Sequence, residues 1–386
     1  MDIKTLITII LILITTKLNA VVINEDSREQ ILSIDNQYSR KVGQIEVWNN
    51  DNPEKGGVCT ATNLNRRFII TSAHCIINEI NNKPYDNIVY YPRRMDIDKR
   101  EPSRVYIKTG YLMKGYEIKS QILNKKSDKV SRETNTEIIA EDLAILEAFS
   151  EMKGLYVGEE YGYYKHDSKK LKEKEKLKVN ISSYPADKPF GTLWNENCYL
   201  TKYNANIGFV DCDLFQGASG SAILYQNKVI GVFSAESLEY EKNHVTLITK
   251  EMEKEINNVI IGEHHLNRML KKVNFKTQSF NYFYFENKCN KEINGAIRIQ
   301  NLSGDWSTYL MKNVLPNQRS YSTIENLSKV YYYYARTNDN KKEWSGNDLF
   351  EYINNEEDKK GFIKVEAENH KTGNSYGDWY IELRCY

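Results

Sequence analysis

Three short segments, Thr71-Ser72-Ala73-His74-Cys75, Glu141-Asp142-Leu143-Ala144-Ile145-Leu146 and Gly217-Ala218-Ser219-Gly220-Ser221, occur along the chain in that order. Each sets a polar residue at the end of an apolar, β-type run. A fold that unites them must therefore gather strand ends from distant parts of the sequence. The residue types define a chemistry as well as a topology. A serine hydroxyl is a poor nucleophile at neutral pH, so it needs a base within hydrogen-bond reach and a carboxylate that holds the base in one tautomer. His74, Asp142 and Ser219 are the candidates for those roles. Taken singly, each has an ordinary structural explanation: a glycine-rich turn, a buried histidine, an aspartate capping a strand. Their order, their shared position at strand ends and the cysteines around the histidine favour the joint reading.

At 386 residues with 40% hydrophobic composition the chain is long enough for two domains with sizeable cores. Fifty-three Lys and Arg face fifty-two Asp and Glu, so bulk charge favours neither nucleic acid nor an anionic membrane as partner. The 28 tyrosines, many in alternating or clustered runs, argue for strands over helix bundles. A mostly-β protein is expected, with no cofactor, no metal-ligand cluster and no phosphate-cradling glycine loop ahead of a helix. A monomer is expected.

The first twenty residues read as an address. Lys4 is followed by the apolar stretch Leu6 to Ile14 and by Leu18-Asn19-Ala20, a small-residue end suited to a signal peptidase. The apolar stretch is about half of the roughly 20 residues that a spanning helix needs, which favours cleavage over a permanent anchor. Val21 then begins a secreted or periplasmic chain with no further membrane segment. Export makes the six cysteines candidates for disulfides. Cys59 and Cys75 flank the strand that leads into His74, Cys198 and Cys212 bracket the approach to Ser219, and Cys289 and Cys385 stand near the two ends of the C-terminal region. Of 15 possible connectivities, these placements favour 59 with 75, 198 with 212 and 289 with 385.

Two strands are expected at Val42 to Trp48 and Arg67 to Thr71, separated by a Gly56-Gly57 turn. Residues 78 to 135 read as strands Ile88 to Tyr91 and Arg104 to Thr109 joined by long charged loops. Lys165 to Lys178, with Leu171 and Leu177 its only apolar members, reads as a solvated loop or surface helix. Ile223 to Ala235 has the pattern of a hairpin about Gln226-Asn227-Lys228, and Thr249 to Ile260 has helical spacing. From about residue 281 the sequence turns to aromatics, Asn and short strands at Tyr282 to Cys289, Gly295 to Ile299, Tyr331 to Ala335, Phe362 to Ala367 and Trp379 to Arg384. The expected division is signal peptide 1–20, catalytic domain 21–272, linker 273–280 and a small antiparallel β-sandwich over 281–386.

The T-S-A-H-C loop, the D-L-A-I-L strand and G-A-S-G-S together resemble the chymotrypsin-fold serine proteases, in which His, Asp, Ser is also the chain order. Tyr184-Pro185-Ala186-Asp187-Lys188-Pro189-Phe190-Gly191-Thr192-Leu193-Trp194 and Asn24-Glu25-Asp26-Ser27-Arg28 resemble, more narrowly, the bacterial glutamyl-endopeptidase branch. The resemblance spans roughly residues 21 to 270. It implies two six-stranded antiparallel β-barrels, with His74 and Asp142 from the first, Ser219 from the second, and an oxyanion hole made by the amides of Gly217 and Ser219. Polypeptides would be the substrates. The resemblance also implies an edge strand, Ser234-Ala235-Glu236, that pairs with substrate backbone, and a mature amino terminus that contributes to recognition.

On specificity the pattern departs from that branch. The histidine and threonine with which it meets an acidic side chain read Phe233 and Leu214 here. Asp213 instead falls where trypsin-like enzymes keep the carboxylate for Lys and Arg, although a carboxylate there can also serve only a loop hydrogen bond. Glu236 would either further favour basic side chains or restrict the pocket. The region around Trp306, Pro316-Asn317 and Trp344-Ser345-Gly346 weakly resembles a family of small exported bacterial β-domains with no known activity; Trp306, Trp344 and Trp379 suit either a ligand surface or a core. Two functions follow as expectations: an exported serine endopeptidase, or an idle homologue that binds or adheres through its C-terminal domain.

Overall fold

The computed structural model describes residues 26–33, 36, 39–78, 81–95, 103–125, 136–150, 154–237, 242–277, 283–300, 304–321, 330–353, 358–366 and 379–385. The expected signal peptide, Val21 and Asn24-Glu25 lie outside them. The protein is mostly β, with two barrel-like antiparallel sheets of chymotrypsin type followed by a two-sheet sandwich.

The first sheet is built from β1 (Val42–Asn49), β2 (Asn52–Asn63), β3 (Phe68–Thr71), β4 (Asn87–Pro92), β5 (Val105–Tyr106), β6 (Thr109–Met113) and β7 (Ala144–Glu147). The second contains β8 (Lys176–Ser183), β9 (Trp194–Lys202), β10 (Ile207–Val210), β11 (Ala222–Tyr225), β12 (Lys228–Ser237) and β13 (Lys242–Leu247). A later strand, β14 (Leu270–Asn274), returns to the first sheet beside β6, giving the order β14-β6-β7-β3-β2-β1-β4-β5. The second sheet runs β9-β8-β11-β12-β13-β10 and closes by β10 pairing with β9. Only the second is thus a closed six-stranded barrel; the first is a curled eight-stranded sheet. Its seam is bridged by one side chain. Thr277 Oγ1 accepts from the Ile88 amide at 3.1 Å and donates to the Ile107 carbonyl at 2.5 Å. Val273 and Asn274, in the segment read from sequence as a linker, are part of β14, and Phe275 and Thr277 bond to the first sheet just beyond it.

The Gly56-Gly57 turn does not form. Both glycines lie within β2, paired against β1, and the reversal falls at Asn50-Asp51. A Cβ on Gly56 would come within 2.5 Å of the Val47 carbonyl, so glycine here permits close backbone approach at a register shift. The charged loops expected over 78–135 include a helix, α1 (Lys114–Lys125), whose Tyr116 is buried against the first sheet. A second short helix, α2 (Thr136–Ile139), leads to Asp142, and a third, α3 (Val157–Tyr161), follows β7. Lys165 to Lys178 is neither a free loop nor a helix. Lys165–His166 pairs in parallel with β12, and Leu171 and Leu177 are buried in the second core.

The β11–β12 hairpin forms as its sequence predicts. Gln226 and Asn227 have φ of 49° and 63°, the left-handed pair that matches hairpin twist. Helix α4 (Lys250–Ile260) also forms where expected, capped by Thr249, whose Oγ1 accepts from the Met252 amide at 3.2 Å. Its Met252, Ile256 and Val259 join a core shared with the first sheet, while the buried Glu255 accepts from the amides of Arg268, Met269 and Leu270. This carboxylate fixes the entry into β14.

The C-terminal sandwich sets β15 (Phe283–Asn287), β16 (Ile293–Gln300), β17 (Trp306–Val314), β18 (Arg319–Tyr321), β19 (Val330–Thr337), β20 (Leu349–Tyr352), β21 (Lys359–Glu366) and β22 (Trp379–Leu383) into sheets β18-β15-β22 and β17-β16-β19-β21-β20. One pair departs from the antiparallel expectation: β15 and β22 run parallel. That alignment brings both C-terminal ends to one edge, where Cys289 and Cys385 are bonded. Trp344 packs against the core and Trp306 is partly exposed. The Trp379 side chain lies outside the described residues.

Candidate active site

Strand β3 delivers a single helical turn, Ala73–Cys75, and the bond from Cys75 to Cys59 ties that turn to β2. His74 leaves the turn half-buried, with Nδ1 2.7 Å from Asp142 Oδ2. Asp142 precedes β7 and is 3% exposed. Its Oδ1 accepts from the His74 amide at 2.9 Å, and its Oδ2 accepts also from Ser234 Oγ at 2.5 Å. A carboxylate so surrounded by donors stays an acceptor, which assigns the Nδ1–H tautomer to His74 and leaves Nε2 with a free lone pair. Ahead of Asp142, Thr246 Oγ1 on β13 donates to the Ile139 carbonyl at 2.6 Å and holds the approach in place.

Ser219 sits on a tight turn between Leu214 and β11. The turn is held internally by Ala218 N to Phe215 O and Ser221 N to Ala218 O, and externally by Thr60 on β2. Thr60 donates its amide to Ser219 O at 2.8 Å and its Oγ1 to Gly217 O at 2.9 Å, and accepts from the Tyr184 amide at 3.0 Å. One first-sheet residue thus positions the serine turn of the second barrel. Gly217 has φ of 88° and Gly220 of 82°. A Cβ on Gly220 would lie 2.1 Å from Thr71 Oγ1, so both the conformation and the close approach demand glycine. Among the described residues, the amides of Gly217 and Ser219 have no acceptor.

Asp213 is buried, and its carboxylate accepts from the Ser27 amide at 3.1 Å. Glu196 on β9 completes a ring: it accepts from Ser27 Oγ at 2.6 Å and from the Asp213 amide at 2.9 Å. Burial raises the Glu196 carboxyl above the ordinary range. The same N-terminal segment is clamped by Arg28, whose guanidinium bonds Asp26 and Asp187, and by Lys188 on Asp26. Phe233 and Leu214 are buried in the second core. Ser234, Ala235 and Glu236 continue β12 beyond the end of β11, paired with β13 from Ala235 onward. The sequence places Ser234 on this strand but not its hydroxyl on Asp142, and marks Ser27 only as a member of the N-terminal segment; Thr60 and Glu196 carry no such signal.

His244 on β13 pairs with Ala235 and Phe209, stacks on the Phe209 ring at 4.8 Å and is 3% exposed. Burial pushes its imidazole down to about 4, against a hydrogen bond from the ring to the Ala235 backbone that favours the charged form. Because the folded value lies below the unfolded one near 6.5, the unfolded chain takes up this proton first on acidification. The stabilisation is intact above pH 6.5 and lost towards pH 4, by about 3 kcal/mol at most. His244→Phe should flatten that part of the stability profile. Urea unfolding at pH 4.5 and 7 measures it; an unchanged difference between the two would refute the assignment.

The fold and the arrangement at the strand ends define a chymotrypsin-type double barrel. No protein-family model matches the chain, and no curated protein matches it. Among solved structures it is similar to a Glu endopeptidase, with 21% identity over 62% of this chain and 99% of the other, at a TM-score of 0.48. It is also similar to the protease Anisep from Arthrobacter nicotinovorans, with 15% identity over 57% and 93% of the chains and a TM-score of 0.41. An inactivated protease paralogue of the scabies mite, S-I1, shares 15% identity over 60% and 99%, with a TM-score of 0.44.

Proposed function

We propose that the chain is an exported serine endopeptidase that cleaves polypeptides through His74, Asp142 and Ser219. The observation that carries this reading is the bonded set Ser234–Asp142–His74, which leaves Nε2 as the basic nitrogen. In the proposed cycle Nε2 takes the Ser219 proton as Oγ attacks the scissile carbonyl, and returns it to the leaving amine. Asp142 stabilises the imidazolium formed in between. The amides of Gly217 and Ser219 receive the oxyanion, and water resolves the acyl-enzyme by the reverse steps. By strand addition, Ser234, Ala235 and Glu236 pair with substrate backbone. Three disulfides support export, and no described helix is long and apolar enough to cross a membrane.

For the residue before the cleaved bond we propose Lys or Arg. Around Ser27, the carboxylates of Asp26, Asp187, Glu196 and Asp213 outnumber the cations Arg28 and Lys188. Such a site favours a positive side chain over an acidic one. Labelling with a fluorophosphonate probe, followed by peptide-library profiling, tests both levels. The expected result is labelling of the mature protein, none of Ser219→Ala, and cleavage after Lys or Arg that Asp213→Ser reduces at least tenfold relative to Glu. Equal labelling of Ser219→Ala would sink the enzyme reading. An unchanged Arg-to-Glu ratio in Asp213→Ser would sink the specificity.

A further inference from the structure

Glu196 is the third residue of β9 and is 6% exposed, yet among the described residues no cation bonds its carboxylate. Glutamate is rarely so buried without one. Each of its oxygens has a single donor. Oε1 takes the Ser27 hydroxyl at 2.6 Å and Oε2 the Asp213 amide at 2.9 Å. Ser27 in turn gives its own amide to Asp213 Oδ2 at 3.1 Å. Two buried carboxylates are thus joined in one closed ring through one serine. The charged groups around Glu196 come from three segments. The N-terminal segment brings Asp26, Arg28 and the exposed Glu29, residues 184–194 bring Asp187 and Lys188, and the stretch before the serine turn brings Asp213. On β8 its register partner is the uncharged Ile181. Arg28 acts on Glu196 only at longer range, being bonded to Asp26 and Asp187, and Lys188 is bonded to Asp26. Burial, with the charge of Asp213 adding to it, holds the Glu196 carboxyl above the ordinary range against the pull of its donors.

We propose that Glu196 is a positioning residue for substrate choice: through the ring it shares with Ser27 and Asp213, its negative charge sets the preference for a cationic side chain, and a proton taken up by Glu196 weakens that preference. The inference rests on the proposed Lys or Arg preference at Asp213. Glu196 touches no substrate in this account. It fixes the backbone of Asp213 through the amide bond and adds its charge to the field that a Lys or Arg side chain enters. Protonation changes that charge without dismantling the ring. A neutral Glu196 can donate from Oε1 to Ser27 Oγ, which turns from donor to acceptor, while Oε2 keeps the Asp213 amide. The direction of the pH effect follows from linkage. A cation beside Asp213 favours the ionised form of Glu196, so ionised Glu196 favours the cation to the same degree. Affinity for the cation is therefore full above the pKa of Glu196 in the free protein and falls as pH drops through it. A neutral side chain at the same place gains nothing from either form.

The test uses the full chain and two peptides that differ only before the cleaved bond, one with Arg and one with citrulline, its uncharged isostere. The ratio of their kcat/KM values is followed from pH 8 to pH 5, so that titration of His74 cancels. The Arg-to-citrulline ratio should fall at least about fivefold on acidification, the scale of one partly buried charge acting at short range. Glu196→Gln should show the lower ratio throughout and lose the step. Ser27→Ala keeps the amide on Asp213 but removes the hydroxyl that steadies the ionised Glu196, so its step should move to higher pH; this variant carries the test should Glu196→Gln fail to fold. A ratio that does not change with pH, the same step in Glu196→Gln, or an unmoved step in Ser27→Ala would overturn the proposal and leave the Lys or Arg preference standing. Equal hydrolysis of both peptides at every pH would remove that preference and the proposal with it. Should neither peptide be cleaved, benzamidine, a permanently charged amidinium, is titrated calorimetrically at the same two pH values. Tighter binding at pH 8, lost in Glu196→Gln, would uphold the coupling and remove the protease reading; equal binding at both would remove the coupling as well.

Discussion

Asp142→Asn is expected to lower kcat by about 10⁴ while leaving the protein folded. The argument is one of tautomers. Asp142 accepts from the His74 amide, from Nδ1 and from Ser234 Oγ. An asparagine can still accept on its oxygen from the His74 amide, but its NH₂ then faces Nδ1 and forces that nitrogen to become the acceptor. The proton moves to Nε2, so the proposed base would present Ser219 with a hydrogen instead of a lone pair. The fold should tolerate the change, because size and the amide bond are kept and Ser234 can turn its own lone pair toward the NH₂. Steady-state hydrolysis of the best peptide, with urea unfolding of the same sample, measures both quantities. A loss smaller than tenfold with the fold intact would mean that Asp142 does not set the His74 tautomer during catalysis.

That prediction depends on residues legible in the sequence as well as one that was not. His74, Asp142 and Ser219 could be singled out because nucleophile chemistry prescribes their types and because each ends an apolar run. The cysteine pairings were legible for a related reason: two pairs flank a local feature, and the third stands at the two ends of the C-terminal region. Ser234 was legible only as a strand residue. Its hydroxyl reaches Asp142 across 92 positions of sequence, and no local pattern encodes that distance. The same holds for Thr60 and for the Ser27–Glu196–Asp213 ring, which joins residues as far as 186 positions apart. Local errors had local causes. Gly56-Gly57 signals a turn by composition, yet here two strands approach so closely that a side chain is excluded. In α1 the helical spacing is diluted by charged residues, and burial of Tyr116 against the sheet supplies what periodicity did not show. The parallel pairing of β15 with β22 was hidden because strand direction is not written in alternation; the Cys289–Cys385 placement was compatible with either direction.

Gly217→Ala is expected to cost about 10² to 10³ in kcat with much less effect on KM. Gly217 has φ of 88°, and an added Cβ would meet the Tyr184 carbonyl at 2.5 Å and the Ala186 amide at 3.3 Å. Neither neighbour can yield cheaply. Tyr184 donates its amide to Thr60 Oγ1, Ala186 donates to Gln216 O, and Thr60 also holds Gly217 O and Ser219 O. The strain of an alanine at positive φ, about 1 to 2 kcal/mol, is relieved most directly by rotating the 216–217 peptide. That rotation turns the Gly217 N–H away from the position of the oxyanion. Since the charge on that oxygen develops only in the transition state, ground-state binding should survive while turnover falls. Separate determination of kcat and KM, with the unfolding free energy of the variant, distinguishes this from general damage. A rise in KM with kcat preserved would place the lost interaction in substrate binding and deny Gly217 its part in the oxyanion hole. The same linkage explains why the serine turn cannot move alone: Thr60 joins Gly217, Ser219 and Tyr184, so a distortion at any of them is felt at the other two.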